Sequence, residues 1–287
     1  MHDYILMTDA TSDLTPEDLK QHKIEVIEMN VRLGENDFMF HPDNEFDEKS
    51  FYTQVKQGEK AGTSQITTYT FIEAFTKIAK QGKDILYIGF ASALSGTFQN
   101  AWVARTAVME KYTDIKIELV DSLSASFGEG MIVLYTARKI EEGADLQEAA
   151  AYAETLKHQI ALWFTVDDLI HLSRSGRLSN AAAMLGFMLQ IKPLLHCDEE
   201  GRLIPVDKVR GRKASIKRLA EIFRTNVIDK SMVSVCHSDA PEEAKLLRSM
   251  LMEDPEVTEV RITKIGPVIG LHSGPQTLAV AFRAYQR

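Results

Sequence analysis

The residues best suited to chemistry are hydroxyls gathered in short turns. Ser92-Ala93-Leu94-Ser95-Gly96-Thr97 follows an apolar run from Ile85 to Phe90 and precedes a helix-like stretch from Phe98. A strand that feeds a small-residue turn and then a helix leaves several backbone N–H groups unpaired and pointing one way. With nearby hydroxyls, those donors suit an anionic head group such as a carboxylate or phosphate. The alternative is that Ser95 only caps the helix. Gly62-Thr63-Ser64-Gln65 supplies further hydroxyls before another helical stretch, with capping again the alternative. Gly266-Pro267-Val268-Ile269-Gly270-Leu271-His272-Ser273-Gly274-Pro275 reads as a dense turn that frees His272 to point into a crevice and donate a hydrogen bond. Asp9 and Asp13 lie four apart in one loop, where turn and cap chemistry is set against an aspartyl-phosphate or metal role.

The stretch from Ala181 to Leu189 is apolar on every side, so it belongs to a core or to the wall of an apolar cavity. Ala182 and Gly186 leave room beside the backbone, while Leu185, Met188 and Leu189 supply apolar surface, methionine being able to repack around a flexible guest. Arg174, just upstream, offers such a cavity a charged end or is a solvated loop residue. Other machinery is missing. The chain holds no GxxxxGK[ST] or GxGxxG loop, no HExxH, and no GxSxG elbow around Ser92 or Ser95. Neither a metal nor a cofactor is expected. The rival to a binding role is a serine-dependent hydrolase or phosphotransferase using Ser95 and His272, with Asp9 or Asp121 as orienter.

These loops must be held by an α/β framework. Strand-like runs at Tyr4–Met7, Ile24–Met29, Ile85–Phe90 and Ile115–Val120 alternate with helical stretches at Tyr69–Gln81, Ala101–Lys111, Met131–Glu142 and Leu146–Gln159. Thr15 and Pro16 look like the cap and first residue of another helix. Such alternation predicts a parallel sheet whose strand ends carry Thr8–Asp13, Ser92–Thr97 and Asp121–Phe127 into one crevice. In the second half Ile160–Val166, Leu203–Val209, Met232–His237 and Val257–Ile265 read as strands and Glu242–Met252 and Thr277–Tyr285 as helices, with Pro193 closing the apolar helix. We therefore expect two α/β domains, 1–160 with a parallel sheet and 161–287 with a mixed one, and the ligand between them.

A net charge of −8 argues against broad nucleic-acid binding. Cys197 and Cys236 are too few and too isolated for a disulfide framework, which suits a reducing cytosol. With no basic leader and no apolar run long enough to cross a bilayer, a cytoplasmic protein without an integral membrane segment is expected. Lys208, Arg210, Arg212, Lys213, Lys217 and Arg218 crowd this acidic chain, as a solvated basic face or as a docking patch for an acidic partner surface.

Seven motifs in order, TDATSDL (Thr8–Leu14), TSQ (Thr63–Gln65), SALSGTFQNA (Ser92–Ala101), VDS (Val120–Ser122), SRSGRLS (Ser173–Ser179), IKPLL (Ile191–Leu195) and GLHSGP (Gly270–Pro275), resemble the DegV family over essentially the whole chain. The resemblance implies two α/β domains holding one long-chain fatty acid of the palmitate class. It implies that Thr63 and Ser95 bind the carboxylate, with His272 and Arg174 near the head group; the apolar stretch that includes Ala182, Leu185, Gly186, Met188 and Leu189 is then our candidate for the wall of the acyl tunnel. It further implies a non-catalytic subunit that presents its fatty acid to a separate bacterial fatty acid kinase for acyl-phosphate formation, with Arg210 and Arg212 offered for docking. Ala10, Ile66 and Gln276 stand where the family pattern often has serine, proline and glycine, and Ile66 adjoins the loop holding Thr63.

Overall fold

The computed structural model describes residues 3–167, 169–178, 191–285 and 287. The proposed tunnel residues Ala182, Leu185, Gly186, Met188 and Leu189 lie outside the described residues. The architecture is a parallel-sheet α/β domain joined to a mixed-sheet α/β domain.

In the first, β1 (Tyr4–Asp9), β2 (Glu25–Ile27), β6 (Asp84–Gly89) and β7 (Ile117–Asp121) form a four-stranded parallel sheet in the order β2-β1-β6-β7. Helix α1 (Pro16–His22) starts as its sequence predicts: Thr15 and Asp18 form a reciprocal capping box and Pro16 sits in the first turn. Helices α3 (Thr68–Ala79) and α4 (Thr97–Lys111) pack together on one face of the sheet, and α5 (Ser126–Glu141) and α6 (Leu146–Leu156) cover the other. Helix α5 is buried without a break from Ser126 to Ala137. It lies against β6 on one side and against strands of the second sheet on the other, so it is shared between the domains.

A three-stranded antiparallel sheet joins this domain in the order β4-β3-β5, from β3 (Met29–Leu33), β4 (Asn36–Phe40) and β5 (Ala61–Ser64). Gly62–Gln65, a loop by sequence, is mostly strand. Alanine, glycine, threonine and serine carry little strand preference, and it is pairing with β3, Thr63 opposite Val31, that makes β5 a strand. Helix α2 (Glu48–Lys56) connects β4 to β5.

The second sheet has six strands in the order β10-β9-β8-β13-β11-β12: β8 (Ile160–Thr165), β9 (Ile191–Cys197), β10 (Leu203–Arg210), β11 (Val227–His237), β12 (Arg261–Lys264) and β13 (Leu278–Ala284). Among the described residues β11–β12 is the only parallel pairing between its strands, and an isolated parallel bridge joins Leu178 to Leu203 of β10. Helices α8 (Arg212–Asn226) and α9 (Pro241–Leu251) cover its outer face, while α7 (Ile170–Ser175) and α10 (Pro267–Ser273) lie toward the crevice. One expectation fails here. The helix expected over Thr277–Tyr285 is β13, a central strand paired with β8 and β11. Its buried face-to-face run LAVAFRA has no alternation to betray a strand, because both sides are covered. Pro193 sits inside β9, where the β8 pairing ends at Leu194, so the missing N–H falls beyond that ladder; the apolar helix expected before it lies outside the described residues.

Candidate functional site

A cavity of about 270 Å3 opens between the domains, bounded by the ends of the parallel strands, the three-stranded sheet and the inner face of the six-stranded sheet. Leu162 and Phe164 of β8, Leu172 of α7, Leu203 of β10 and Val268 and Ile269 of α10 make its walls apolar. Its polar atoms come from Thr63, Ser95, His272 and Arg177, with Thr11 and Ser126 at the parallel-sheet side.

Three of the four head-group residues named from the sequence meet here. Thr63 is held on β5, and the Oγ1 of Thr63 lies 2.8 Å from Nε2 of His272. His272 belongs to helix α10 and not to an open turn: Pro267 starts the helix and Gly274, at φ +83°, ends it. That helix packs on β3, β5 and α2, and a Cβ on Gly270 would collide with the Tyr52 hydroxyl, which donates to the Ile265 carbonyl at 2.9 Å. Ser95 precedes α4; its Oγ accepts from the Thr97 N–H at 3.2 Å and lies 3.0 Å from Thr97 Oγ1. Thr97 Oγ1 accepts from the Ile66 N–H at 3.3 Å, so the Thr63 and Ser95 loops are tied together. Gly96 lets the Gln65 carboxamide lie against its backbone, since a Cβ there would collide with Gln65 Oε1.

Arg174 is elsewhere. It is exposed on the last turn of α7 and does not line the cavity; the arginine that does is Arg177, whose Nε donates to the Leu94 carbonyl at 3.4 Å. The two lie in one SRSGRL run, and only the left-handed Gly176 between them, at φ +70°, turns the chain so that the second faces inward. The docking pair separates too. Arg210 is exposed, but Arg212 is largely buried and donates to the Gln276 carbonyl at 2.7 Å, with burial pulling its pKa down. Two more of the basic run are met by acids: Arg218 pairs with Asp207 and Glu221, and Lys217 with Glu221.

Burial, reinforced by Arg177, pulls the His272 pKa down to about 4. At neutral pH the ring is uncharged, so it holds one donor and one acceptor nitrogen. A neutral imidazole, two hydroxyls and one guanidinium can hydrogen-bond a single anion. They are not arranged as a serine hydrolase: Ser95 is bonded to Thr97, His272 to Thr63, and Asp121 accepts from the Ser92 and Leu123 N–H groups. Asp9 is buried under the site and bonded to Thr11, Tyr87 and Phe90. Among the described residues no group of three or more metal-ligating side chains comes together. A second, open and more polar groove shares Leu94, Ser95, Gly96 and Arg177 with the cavity and adds Ser92, Ser175 and Arg202. The polar end of the cavity therefore abuts a surface that a second molecule can reach.

A family profile described as "Uncharacterised protein, DegV family" matches residues 4–284. A DegV domain-containing protein of Clostridium perfringens is 36% identical over 284 residues, covering 98% of each chain. The chain belongs to the DegV family. Two solved DegV structures share the fold. One, described as DegV, a fatty acid binding protein from Bacillus subtilis, is 30% identical with a TM-score of 0.86, covering 99% of this chain and 100% of that one. The other, a DegV family protein from Thermus thermophilus described by its fatty acid binding, is 27% identical with a TM-score of 0.87 at the same coverage. The DegV fold thus places this chain's hydroxyls, His272 and Arg177 around one cavity. Among the described residues no helix is long and apolar enough to cross a membrane.

Proposed function

We propose that this chain binds one long-chain fatty acid, its carboxylate at Thr63, Ser95, His272 and Arg177 and its acyl chain along the apolar cavity, and presents it to a separate kinase. The observation that carries the reading is the Thr63–His272 pair, with Ser95 and Arg177, at the polar end of an otherwise apolar cavity. The Bacillus subtilis and Thermus thermophilus relatives, with fatty acid binding in their descriptions, support it. Burying about fifteen methylenes at ~0.8 kcal/mol each is worth on the order of 12 kcal/mol before ordering costs. That suffices for tight retention with few polar contacts, provided the buried carboxylate is hydrogen-bonded. The neighbouring groove supports the second half of the reading: Arg177 and Arg202, the latter held by Asp198 and Glu200, line a surface that adjoins Ser95, where a phosphoryl donor brought by a partner would meet the carboxylate. Arg202 replaces Arg212 in our docking proposal; exposed Arg210, at the other end of β10 from Arg202, does not line this groove.

Mass spectrometry of lipid released from the purified protein tests this directly. The expected result is C14–C18 fatty acid near one per chain, and replacement of Thr63 or Ser95 by Ala should weaken binding by roughly 1.5–3 kcal/mol each, the worth of a hydrogen bond to a charged group. A protein that purifies empty and gains no thermal stability from palmitate or oleate overturns the reading. Charge reversal at Arg202 should slow acyl-phosphate formation with a cognate kinase and leave fatty-acid binding intact.

A further inference from the structure

Beneath the cavity wall lies a buried hydrogen-bonded chain that the binding site itself does not use. Thr11, whose residue lines the cavity, has its hydroxyl between two carboxyl groups: Oγ1 is 2.5 Å from Asp9 Oδ1 and 2.8 Å from Glu129 Oε2. A hydroxyl carries one proton, so it donates to only one of these oxygens and must accept from the other. One carboxyl group is therefore protonated. Asp9 also receives the Thr11 N–H at 3.0 Å, the Tyr87 hydroxyl at 2.6 Å and the Phe90 N–H at 3.3 Å, two of them fixed backbone donors. Glu129, wholly buried on α5, has among the described residues only the Thr8 hydroxyl besides Thr11, at 3.0 Å from Oε1. Four donors stabilise the ionised form of Asp9, whereas Glu129 has a single clear acceptor role and a second oxygen free to donate.

We propose that Glu129 is held as a neutral carboxylic acid that donates to Thr11 Oγ1, which in turn donates to Asp9, making Glu129 a positioning residue for the head-group loop. Burial and the neighbouring Asp9 and Asp13 carboxyls both push the Glu129 pKa upward, in the same direction. The chain reaches the site through Asp9: its Oδ2 fixes the Phe90 N–H, where the Ser92–Gly96 turn leaves β6, and the Tyr87 ring beneath it. A neutral Glu129 also spares a bound carboxylate a second buried anion close by. This last consequence rests on the fatty-acid reading; the protonation state does not.

Infrared spectra of the wild type and of Glu129→Gln test the state. The expected result is a protonated-acid carbonyl band at neutral pH that is lost in the Gln variant. Binding of a fluorescent fatty acid tests the positioning role: Glu129→Leu, which cannot donate, should bind about tenfold more weakly, the worth of one hydrogen bond. Glu129→Gln, which accepts from Thr8 and donates to Thr11, should restore wild-type affinity. If neither variant folds, carboxyl-carbon NMR of wild type labelled in glutamate should show one group still protonated at neutral pH. Absence of that band or resonance overturns the proposal. So does a Gln variant that binds as weakly as the Leu variant. A wild type that keeps the band but binds no fatty acid would overturn the function and leave the neutral Glu129 standing.

Discussion

His272 shows how far one residue's chemistry depends on its seat. On the sequence it is a histidine between glycines; in the fold it is a neutral ring on a short helix, 2.8 Å from a threonine hydroxyl. Burial and Arg177 both disfavour its imidazolium form, which places its pKa near 4. A ligand carboxylate beside the ring opposes both effects, so NMR titration should show the His272 pKa rising when fatty acid binds. An unshifted titration in the loaded protein would put the carboxylate elsewhere. In the unliganded protein the depressed pKa also costs stability in acid. The unfolded chain takes up this proton near pH 6.5 and the folded one near 4, so the contribution is complete above about pH 6.5 and is lost as pH falls toward 4. At this scale Thr63, Ser95 and His272 were legible from residue type and motif. Arg177 was not: Arg174 and Arg177 share one basic run, and only a left-handed glycine decides which turns inward.

Legibility among the elements follows the strength of the local signal. Helix α1 carries its own cap, and the strands of the parallel sheet announce themselves as apolar runs between turns. Strands β5 and β13 do not, since one is made by its partner β3 and the other is buried on both faces. Helix α10 was hidden by its glycines, which read as a turn. Gly270 serves packing: it brings α10 against the Tyr52 ring, whose Cζ would lie only 2.7 Å from an added Cβ. Alanine at 270 favours an isolated helix by roughly 1 kcal/mol, but it cannot be seated against that buried ring. Gly270→Ala should therefore cost about 1–3 kcal/mol net in urea unfolding, as overpacked sites do, and should weaken fatty-acid binding by displacing His272. A variant as stable as the wild type would show that α10 has room to move.

At the scale of the molecule, the crevice exists because the two domains are tied across it. Asp18 pairs with Arg261 at 2.7 Å, the Tyr52 hydroxyl donates to the Ile265 carbonyl, and Asp13 joins three elements at once. The Asp13 carboxyl accepts from the Gly266 N–H at 2.8 Å, ahead of α10, and from the Ser126 hydroxyl at the start of α5. Both Asp13 and Ser126 hold positive φ, +51° and +52°, a conformation that aspartate and asparagine tolerate better than most residues. Neither bond neutralises the carboxylate, so burial prevails and raises the Asp13 pKa to about 7. The native state therefore keeps a proton that the unfolded chain releases near pH 3.8. Its contribution to stability is full below about pH 3.8 and falls as pH rises to about 7, by about 1.4 kcal/mol per unit at most, and then levels off. Asparagine at 13 preserves both bonds, its oxygen accepting from Gly266 and its amide donating to Ser126, while removing the titration. Unfolding midpoints in urea should then put Asp13→Asn near the wild type at pH 4 and clearly above it at pH 8, with the gap opening between those limits. Comparing the two proteins cancels the opposite slope from His272, which both retain. A gap that stays constant with pH would mean that Asp13 is already ionised in the folded protein, and that the tie between the domains is a charged one.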